Sequence, residues 1–339
     1  MAPKGRQRRE TVYARFAAAA DELRRFGGLP RPGAAEQIWD EIWHLEAHNS
    51  TAIEGNTLVL REVEALLDER RAVGAKDLKD YMEVLGYGEA ARWVYGQALE
   101  PAEWRLDGLI TITEVRQIHH ETMAMVWEVA PHPDATADES PGKFRRHDIR
   151  PFGKGMRPPS WTDVEPQLSG WVREANDFGE AVRTGACSPA ELPVWLAALH
   201  CGFERIHPFI DGNGRVGRLV LNLILVRLGY PPAIIFKRDR DRYLDALARA
   251  DDGDPGALGE LIARSVIDNL HRFVVPSVAG PERLVPLSSL ATKALSYQAL
   301  RQAARRGRLE AELASDGMWR SSRKAVETYR RNRFKRSQN

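Results

Sequence analysis

Apolar residues return every three or four positions along most of this chain, and that spacing predicts a succession of amphipathic helices. In the first of them, Val12, Phe16, Ala19 and Leu23 share one face, and Gly27 to Gly33 is a helix-breaking cluster. The helices predicted in this way lie at residues 11–26, 34–54, 61–69, 78–94, 110–120, 161–178, 194–206 and 216–228. The pattern therefore predicts an all-α fold.

The helical spacing fails between Ile149 and Pro159. A Gly-Lys-Gly centre at Gly153 to Gly155, flanked by extended residues, predicts a β-hairpin there. A lone hairpin needs packing support in a helical protein, and its free edge offers backbone groups to an extended segment of a partner. An ordinary surface hairpin is the alternative interpretation.

The composition changes from Pro281 onward. Residues 281–339 hold 14 Lys and Arg against 5 Asp and Glu, so this tail carries +9 and the rest of the chain −7. A helix at 297–306 followed by a strand pair around Asp316 to Trp319 is similar to a small winged helix-turn-helix. The exposed basic residues of such a fold would face DNA phosphates; they are Arg301, Arg305, Arg306 and Arg308. The rival interpretation is a basic helix that aids solubility or contacts a second copy in a homodimer.

Overall composition is that of a globular protein, with 43% hydrophobic and 28% charged residues. The two cysteines, Cys187 and Cys201, are too few for a disulfide framework or a cysteine-based metal site and favour a reducing compartment. The first residues are basic and lack the apolar segment of a signal peptide, and no apolar run reaches the length of a membrane span. We therefore expect a cytoplasmic protein with no membrane segment.

The most informative stretch is the polar loop between the last two predicted helices. From His207 it reads His-Pro-Phe-Ile-Asp-Gly-Asn-Gly-Arg-Val-Gly-Arg and ends at Arg218. Gly212 and Gly214 lack a Cβ, so the backbone can turn through positive φ and approach a ligand closely. The N–H groups and positive dipole end of the following helix point to the same place. The stretch therefore predicts an anion-binding loop.

The side chains of this loop suit a polyphosphate. Arg215 and Arg218 are three residues apart on one helical face and can grip neighbouring phosphates. Asp211 offers a hard oxygen to Mg²⁺, and His207 can accept a proton near neutral pH. An exposed turn that happens to carry Asp-Gly-Asn-Gly, with the arginines as surface charge, is the alternative.

The stretch from His207 to Arg218 resembles the active-site motif of the Fic family, His-Pro-Phe-x-Asp/Glu-Gly-Asn-Gly-Arg-x-x-Arg, at every fixed position. The resemblance implies a Fic-type helical bundle that transfers AMP from ATP to a Ser, Thr or Tyr hydroxyl of a protein. It implies His207 as the catalytic base and Asp211 as the Mg²⁺ ligand. The nucleotide-binding residues it implies are Asp211, Gly212, Asn213, Gly214, Arg215, Gly217 and Arg218. A phosphorylating relative has Lys at the last glycine of the motif, where this chain has Gly214.

A second stretch lies far upstream, from Ser50 to Asn56. It resembles the Ser/Thr-x-x-x-Glu-Gly/Asn inhibitory motif of many Fic proteins, with Ser50 and Glu54 at the fixed positions. A glutamate is poorly placed at a helix C-terminus, where the dipole favours cations. The resemblance implies that Glu54 pairs with Arg218 and occupies the space of the ATP γ-phosphate.

The resemblance also assigns roles to two less distinctive elements. It implies that the predicted hairpin is a flap that covers the nucleotide and positions the target hydroxyl, with Phe152, Gly153, Lys154, Gly155 and Met156 in that role. It implies that Tyr243, on a helix with Leu247, stacks on adenine. Core packing is the alternative for this tyrosine.

Together these features predict three regions: an N-terminal helical region with the inhibitory helix at 1–100, a Fic catalytic core at 101–275, and a winged helix-turn-helix domain at 281–339. The leading hypothesis is an autoinhibited protein adenylyltransferase that uses ATP and Mg²⁺ and also modifies itself. Two alternatives stay open. One is a DNA-binding regulator that senses a nucleotide, and the other is a hydrolase that removes AMP with the same site.

Overall fold

The computed structural model of this chain describes residues 8–25, 27–30, 36–97, 108–152, 155–275, 282–292, 295–314 and 317–333. Its α-helices are α1 (Arg9–Arg25), α2 (Glu36–Ile53), α3 (Leu60–Glu69), α4 (Leu78–Gln97), α5 (Ile112–Val129), α6 (Val164–Arg183), α7 (Leu192–Ile206), α8 (Asn213–Arg227), α9 (Arg240–Asp251), α10 (Gly256–Asn269), α11 (Tyr297–Arg305) and α12 (Arg323–Asn332). The predicted mostly helical fold is confirmed. Within the described ranges, no helix has the length and apolar character needed to cross a lipid bilayer.

Helix α8 lies at the centre of the molecule. Nearly every residue from Asn213 to Val226 is buried, which is typical of a helix surrounded on all sides. Helices α4, α5 and α7 pack directly against it, and α10 packs on the outer side of α7. The polar loop that precedes α8 therefore emerges from the densest part of the core, so its backbone has rigid support.

A buried carboxylate joins α2 to this core. Glu46 accepts hydrogen bonds from Tyr87 at 3.0 Å, from Tyr95, and from Asn222 of α8 at 2.5 Å. Burial raises the pKa of Glu46 to about 6, although the hydrogen bonds to its carboxylate act in the opposite direction. These contacts fix α2 alongside α4 and α8, and so fix where its C-terminal end lies.

The region predicted as a hairpin is irregular where the structure describes it. Residues 148–152 and 155–160 contain no paired strand, and Gly153 and Lys154 lie outside the described residues. A 3₁₀ turn follows at Trp161–Asp163. The segment is held by side chains instead: Asp148 accepts hydrogen bonds from the Ser160 hydroxyl at 3.1 Å and from the Trp161 N–H at 2.8 Å. In these described residues the prediction of strand pairing was therefore wrong.

The C-terminal part contains three short strands, β1 (Val285–Pro286), β2 (Glu312–Leu313) and β3 (Trp319–Ser321). They form an antiparallel sheet in the order β1-β3-β2, with Val285 opposite Ser321 and Leu313 opposite Trp319. Ser296 and Ser322 cap α11 and α12 by accepting a hydrogen bond from the backbone three residues on. Whether this unit is a winged helix-turn-helix domain stays a prediction, as do the three domain boundaries.

Candidate active site

A cavity of about 340 Å³ opens at the start of α8. One wall is polar and consists of the loop residues Asp211 to Arg215 with His207 and Arg218. The lining also includes apolar side chains, among them Ile53, Phe152, Leu244 and Leu247. The volume and the mixture of surfaces suit a nucleotide-sized ligand with a charged end and an apolar end.

His207 ends α7 in a left-handed conformation, with φ 48° and ψ 62°. Its Nδ1 lies 3.1 Å from the carbonyl oxygen of Glu204. Because a carbonyl only accepts, Nδ1 carries the proton and the Nε2 lone pair is left to accept another. Burial lowers the pKa of His207 to about 4, partly offset by this hydrogen bond. The imidazole is therefore neutral at pH 7 and suited to act as a base.

The backbone at His207 is held by an arginine that the sequence analysis did not single out. Arg145 is 1% exposed, and its Nε donates to the His207 carbonyl oxygen at 2.9 Å. Its other nitrogens donate to the carbonyls of His147 at 3.1 Å and Pro159 at 2.6 Å. A guanidinium with fixed donor directions can bind several carbonyls at once, so it joins the segment after α5 to the polar loop that precedes α8.

A second brace comes from α5. The His119 ring lies flat on Phe209 with the ring centroids 3.7 Å apart, and its Nε2 lies 3.1 Å from the Asp211 carbonyl oxygen. The Gly142 N–H donates to the other ring nitrogen at 2.8 Å, so Nε2 is the protonated one. Asn213 braces the loop internally, with its amide bonded to the Phe209 backbone at 2.9 and 2.8 Å. Asn213 thus shapes the loop as well as lining the cavity.

The turn into α8 has the properties of an anion site. Gly212 adopts φ 80°, a conformation that favours glycine, and no described side chain caps the first turn of α8. Asp211 accepts a 2.5 Å hydrogen bond from the Gly212 N–H. Burial opposes ionisation of Asp211, but Arg215 and this N–H keep its pKa below the usual value. The loop therefore presents helix N–H groups beside an ionised carboxylate.

Arg215 is 3% exposed and lines the cavity between two carboxylates. Its Nη2 donates to Asp211 Oδ1 at 3.3 Å, and its Nη1 lies 3.3 Å from Glu83 Oε1 of α4. Its Nε and Nη1 make no hydrogen bond to any part of the chain that the structure describes. Buried guanidinium N–H groups without acceptors are costly, and a phosphate in the cavity would supply acceptors.

Arg218 is occupied by α2. Its Nη2 donates to Glu54 Oε1 at 2.7 Å and to the Ser50 carbonyl oxygen at 3.0 Å, and its Nε donates to the Ser50 hydroxyl at 2.8 Å. Burial would raise the pKa of Glu54, but the Arg218 guanidinium keeps it below its usual value. Glu54 is therefore an anion, and it lines the cavity where it is bound to Arg218. The pairing expected from the resemblance is present.

The motif glycines have different roles. Gly214 lies within α8, and a Cβ there would sit 2.5 Å from Glu54 Oε1, so the missing side chain allows an anion to approach the helix. Positive φ was expected at both Gly212 and Gly214, but of these two residues only Gly212 adopts it. Gly217, expected at the nucleotide, does not line the cavity. It faces α7, where a Cβ would collide with the Glu204 carboxylate, so it serves helix packing.

Tyr243 also differs from the expectation. It lines the cavity but is 2% exposed, and its hydroxyl lies 2.8 Å from His200 Nε2. A buried ring offers no open face on which an adenine could stack in this conformation. Its hydroxyl belongs instead to a buried polar group beneath Arg218, and the packing interpretation is favoured.

That buried group contains Glu204, which the sequence analysis missed. Glu204 is 3% exposed, lines the cavity, and has an Oε1 atom with no hydrogen-bond partner in the described structure. Burial raises its pKa to about 7, opposed by Arg218 and reinforced by Glu54. A carboxylate within the mostly apolar helix 194–206 was the available signal, because such a residue is rarely buried unless it is paired.

The expected flap residues are only partly described. Phe152 lies edge-on to His207 with ring centroids 5.1 Å apart, and Met156 is buried. Gly155 is exposed with φ 84°. Gly153 and Lys154, predicted as the centre of the flap, lie outside the described residues. Phe152 thus brings the segment to the edge of the cavity beside the imidazole.

Comparison with known proteins adds an independent observation. Residues 109–225 match the model of the Fic/DOC family. The chain is 30% identical over 256 residues to the protein adenylyltransferase Fic of Nematostella vectensis, covering 75% of this chain and 53% of that protein. It is 33% identical over 245 residues to the protein of the same name from Drosophila erecta, covering 72% and 44%. The chain thus spans about half the length of these curated relatives.

Solved structures of Fic proteins have a similar fold. Residues 134–508 of Fic-1 from C. elegans superpose with a TM-score of 0.62 at 26% identity, covering 79% of this chain and 71% of that one. A Fic family protein from Desulfovibrio desulfuricans G20 superposes with a TM-score of 0.57 at 20% identity, covering 92% and 95%. At that lower identity the likeness concerns the fold alone.

Proposed function

This chain contains a Fic/DOC-family domain, and from that premise we propose that it is a protein adenylyltransferase. It moves AMP from ATP to the hydroxyl of a Ser, Thr or Tyr residue on a protein target, itself included. One observation carries the proposal: a neutral histidine with an available Nε2, a buried arginine with unpartnered N–H groups and an uncapped helix start line the same cavity. The adenylyltransferase names of the relatives support it.

The proposed reaction follows from these groups. Nε2 of His207 takes the proton from the target hydroxyl, and the oxygen forms a bond to the α-phosphorus of ATP. The bond from that phosphorus to the bridging oxygen breaks in line, and pyrophosphate leaves with the electron pair. The N–H groups of Gly214 and Arg215 and the Arg215 side chain stabilise the charge that develops on the phosphate oxygens. The transferred AMP ends on the target as a phosphodiester.

Asp211 is the residue that would hold Mg²⁺. It lines the cavity, its side chain is 34% exposed, and Arg215 with the Gly212 N–H keeps it ionised, so its donor chemistry fits a hard cation. When bound, the ion would neutralise phosphate charge and orient the pyrophosphate as a leaving group. The contribution of the chain is to keep the Asp211 carboxylate ionised at the cavity.

We propose that Glu54 makes this site inactive by default. Its carboxylate binds Arg218 inside the cavity, so an incoming γ-phosphate meets a negative charge and loses an arginine partner. A nucleotide bound under those conditions has its α-phosphorus displaced from the line of attack, and small displacements cost large factors in rate. The unmodified chain is then nearly silent.

The test uses ATP labelled at the α-phosphate. Glu54→Gly is expected to raise incorporation of label into the chain or a target at least tenfold, because Arg218 becomes available to phosphate. Glu54→Gly with His207→Ala is expected to return incorporation to background, a loss of about 10²–10⁴ from the base alone. Glu41→Gln, which removes an exposed carboxylate from the same helix, is the matched control and should behave as the unmodified chain. Absence of label on Glu54→Gly would refute the proposal.

The same residues could instead hydrolyse the modified target: Glu54 aligns a water whose oxygen bonds to the phosphorus, the bond from phosphorus to the target oxygen breaks, and that oxygen takes up a proton as free AMP is released. Glu54 is ionised and lines the cavity with His207, which is the placement that such a role requires. Mass spectrometry of a modified target after incubation with unmodified chain and Glu54→Gly separates the two directions. Loss of the AMP adduct with the unmodified chain but not with Glu54→Gly would favour removal.

A second candidate function concerns residues 281–339, which we propose bind DNA. The sheet order β1-β3-β2 and the exposed Arg305 on α11, with Arg306 and Arg308 beyond it, support this proposal. A protein that neutralises phosphates binds DNA with an affinity that falls steeply with salt. Fluorescence anisotropy with a duplex, at two salt concentrations, should show this dependence and its loss in Arg305→Glu with Arg308→Glu. Salt-independent binding would contradict the proposal.

A further inference from the structure

Glu83 is a buried carboxylate that the proposed reaction does not use. It lies on α4, is 6% exposed, and lines the cavity beside Arg215. A carboxylate in such a place is costly unless its charge is paired and its oxygens accept hydrogen bonds. Its partners therefore indicate why it is there.

The two carboxylate oxygens of Glu83 have different partners. Oε1 lies 3.3 Å from Arg215 Nη1 and 3.8 Å from Lys79 Nζ. Oε2 accepts a 3.0 Å hydrogen bond from Asn56 Nδ2. Glu83 thus connects Arg215, which the proposed function assigns to phosphate binding, to Asn56, which lies two positions after Glu54.

Asn56 is placed to hold Glu83 firmly. It is 2% exposed, and its Nδ2 also donates to the Asp80 carbonyl oxygen at 2.9 Å. Its Oδ1 accepts from the Leu58 N–H at 3.0 Å. With all three contacts made, the amide has one orientation, so the donor that faces Glu83 is fixed.

Arg215 needs such support because an arginine side chain has several rotatable bonds and loses much entropy when ordered. Asp211 holds Nη2 from the loop, and Glu83 attracts Nη1 from α4. The contact with Glu83 is an ion pair whose atoms are not aligned as a hydrogen bond. Arg215 Nη1 therefore donates no hydrogen bond to the residues that the structure describes. Glu83 therefore directs the guanidinium by charge and leaves its donors available.

We propose that Glu83 is a positioning residue that aims the Arg215 guanidinium at the phosphates of the nucleotide, and that Asn56 fixes Glu83 for this purpose. The inference rests on the proposed function. Residues 54–56 then act on both arginines with opposite effect: Glu54 occupies Arg218, whereas Asn56 prepares Arg215 through Glu83. Removing the Glu54 carboxylate activates the enzyme only while Asn56 stays in place.

The experiment is made in the active Glu54→Gly chain. Glu83→Gln keeps the shape and an acceptor for Asn56 but removes the charge that faces Arg215, and Asn56→Ala removes the support. Each is expected to lower kcat about tenfold or more, because the arginine is displaced from the transition state. ATP affinity should fall as well, whereas adenosine affinity should not change. Glu89→Gln, on the same helix but paired with Arg70 and Arg92 away from the cavity, should match the parent.

A double-mutant cycle separates positioning from general stability. In the chain that also carries Arg215→Ala, Glu83→Gln is expected to have no further effect on kcat or ATP affinity, because its partner is gone. A merely structural role would lower both values by the same factor in either background and would lower adenosine affinity too. Additive effects, or unchanged kcat in both Glu83→Gln and Asn56→Ala, would overturn the proposal.

Failure of the role proposed for Glu83 can be distinguished from failure of the proposed adenylyltransferase function. If Glu54→Gly transfers no AMP, that function fails, and the cycle is then decided on ATP affinity by calorimetry. Non-additive losses in ATP affinity would still support Glu83 as the residue that aims Arg215. If Glu54→Gly does not bind ATP, both proposals are overturned.

Discussion

The imidazole of His207 owes its chemistry to its surroundings. The left-handed backbone at the end of α7 turns the side chain into the cavity, and the Glu204 carbonyl selects the tautomer with the proton on Nδ1. Burial disfavours the charged form, so the ring is neutral well below pH 7. These surroundings suit His207 to the proposed role of general base.

The pH dependence of the activated enzyme should reflect this burial. A base must be unprotonated to act, and the pKa of His207 is lowered from 6.5 to about 4. For Glu54→Gly, kcat/KM is therefore expected to stay constant from pH 7 down to about 5 and to fall below that, because this ratio reports the free enzyme. Initial rates with ATP and target both well below saturation, across pH 4–8, would check it. A fall centred near pH 6.5 would contradict it.

Residues inside the contiguous motif could be predicted from the sequence, because their chemistry and spacing are visible in twelve positions. Arg145, Glu83 and His119 could not, because each reaches the loop from another element. Arg145 is 62 positions from His207 and His119 is 92 from Asp211, and no local pattern encodes those pairings. Among the long-range contacts of the site, the pairing of Glu54 with Arg218 was expected, because a second recognisable motif implied it, whereas these three were not.

Replacement of Arg145 tests how much this one side chain stabilises the fold. Arg145→Leu keeps an apolar stem but removes hydrogen bonds to the carbonyls of His207, His147 and Pro159. Buried carbonyls would lose their donors, so the free energy of unfolding is expected to fall by about 3 kcal/mol or more. Urea unfolding of this variant and of Arg146→Leu, its exposed neighbour, checks the value. Equal effects of the two changes would show that Arg145 has no special role.

Among the elements, α2 combines two tasks. Its middle is fixed to the core by Glu46, and its end presents Ser50 and Glu54 to Arg218. The C-terminal end of α2 is also hydrogen-bonded to the segment that precedes α9 and to the first residue of α9. Asn49 Oδ1 accepts from the Lys237 N–H at 3.0 Å, and Arg240 Nε donates to the Ile53 carbonyl oxygen at 2.8 Å.

Loosening that end should raise the basal activity. Asn49→Ala removes the hydrogen bond to Lys237 while Glu54 and Arg218 both remain, so Glu54 should leave its partner more often. We expect transfer of label about fivefold above that of the unmodified chain, which corresponds to about 1 kcal/mol, and well below that of Glu54→Gly. Incorporation no higher than in Glu41→Gln would contradict this role of Asn49.

The helices themselves were predictable because their apolar spacing matches the period of a helix over many turns. Strand pairing between Ile149 and Pro159 was expected from the loss of helical spacing and a Gly-Lys-Gly centre flanked by extended residues, and the described residues lack it. Turn residues are compatible with many irregular conformations, whereas sustained periodicity is compatible with few. Side chains such as Asp148 then decide the path of the segment.

On the scale of the whole molecule, the N-terminal helix contacts the C-terminal sheet. Glu22 of α1 accepts from Arg320 of β3 at 3.1 Å and lies 3.9 Å from His271. Arg15 approaches Met318 at 3.4 Å. Partners 298 and 303 positions apart hold these two parts together, which the separate predicted domains did not anticipate.

This junction should depend on pH. Burial would raise the pKa of Glu22, but His271 and Arg320 lower it below 4.5, so its stabilisation is present above pH 4.5 and lost as pH falls through the folded value. Glu22→Gln is expected to cost about 1 kcal/mol at pH 7 and a smaller amount at a pH below 4.5, where the carboxylate begins to be protonated. Denaturant unfolding at both pH values, with exposed Glu10→Gln as the control, checks this. A cost that does not change with pH would contradict it.

Glu54 and Gly55 lie just beyond the last residue of α2, and Gly55 has φ 107°. If Glu54 blocks the site as proposed, its carboxylate can swing away without unwinding any part of the helix that the core depends upon. The low activity then reflects the fraction of molecules in which Glu54 is bound to Arg218. The open form is a minor population, and an effector acts by changing that population. A partner that contributes a few kcal/mol at this tip would turn the enzyme on, and its departure would turn it off again without refolding.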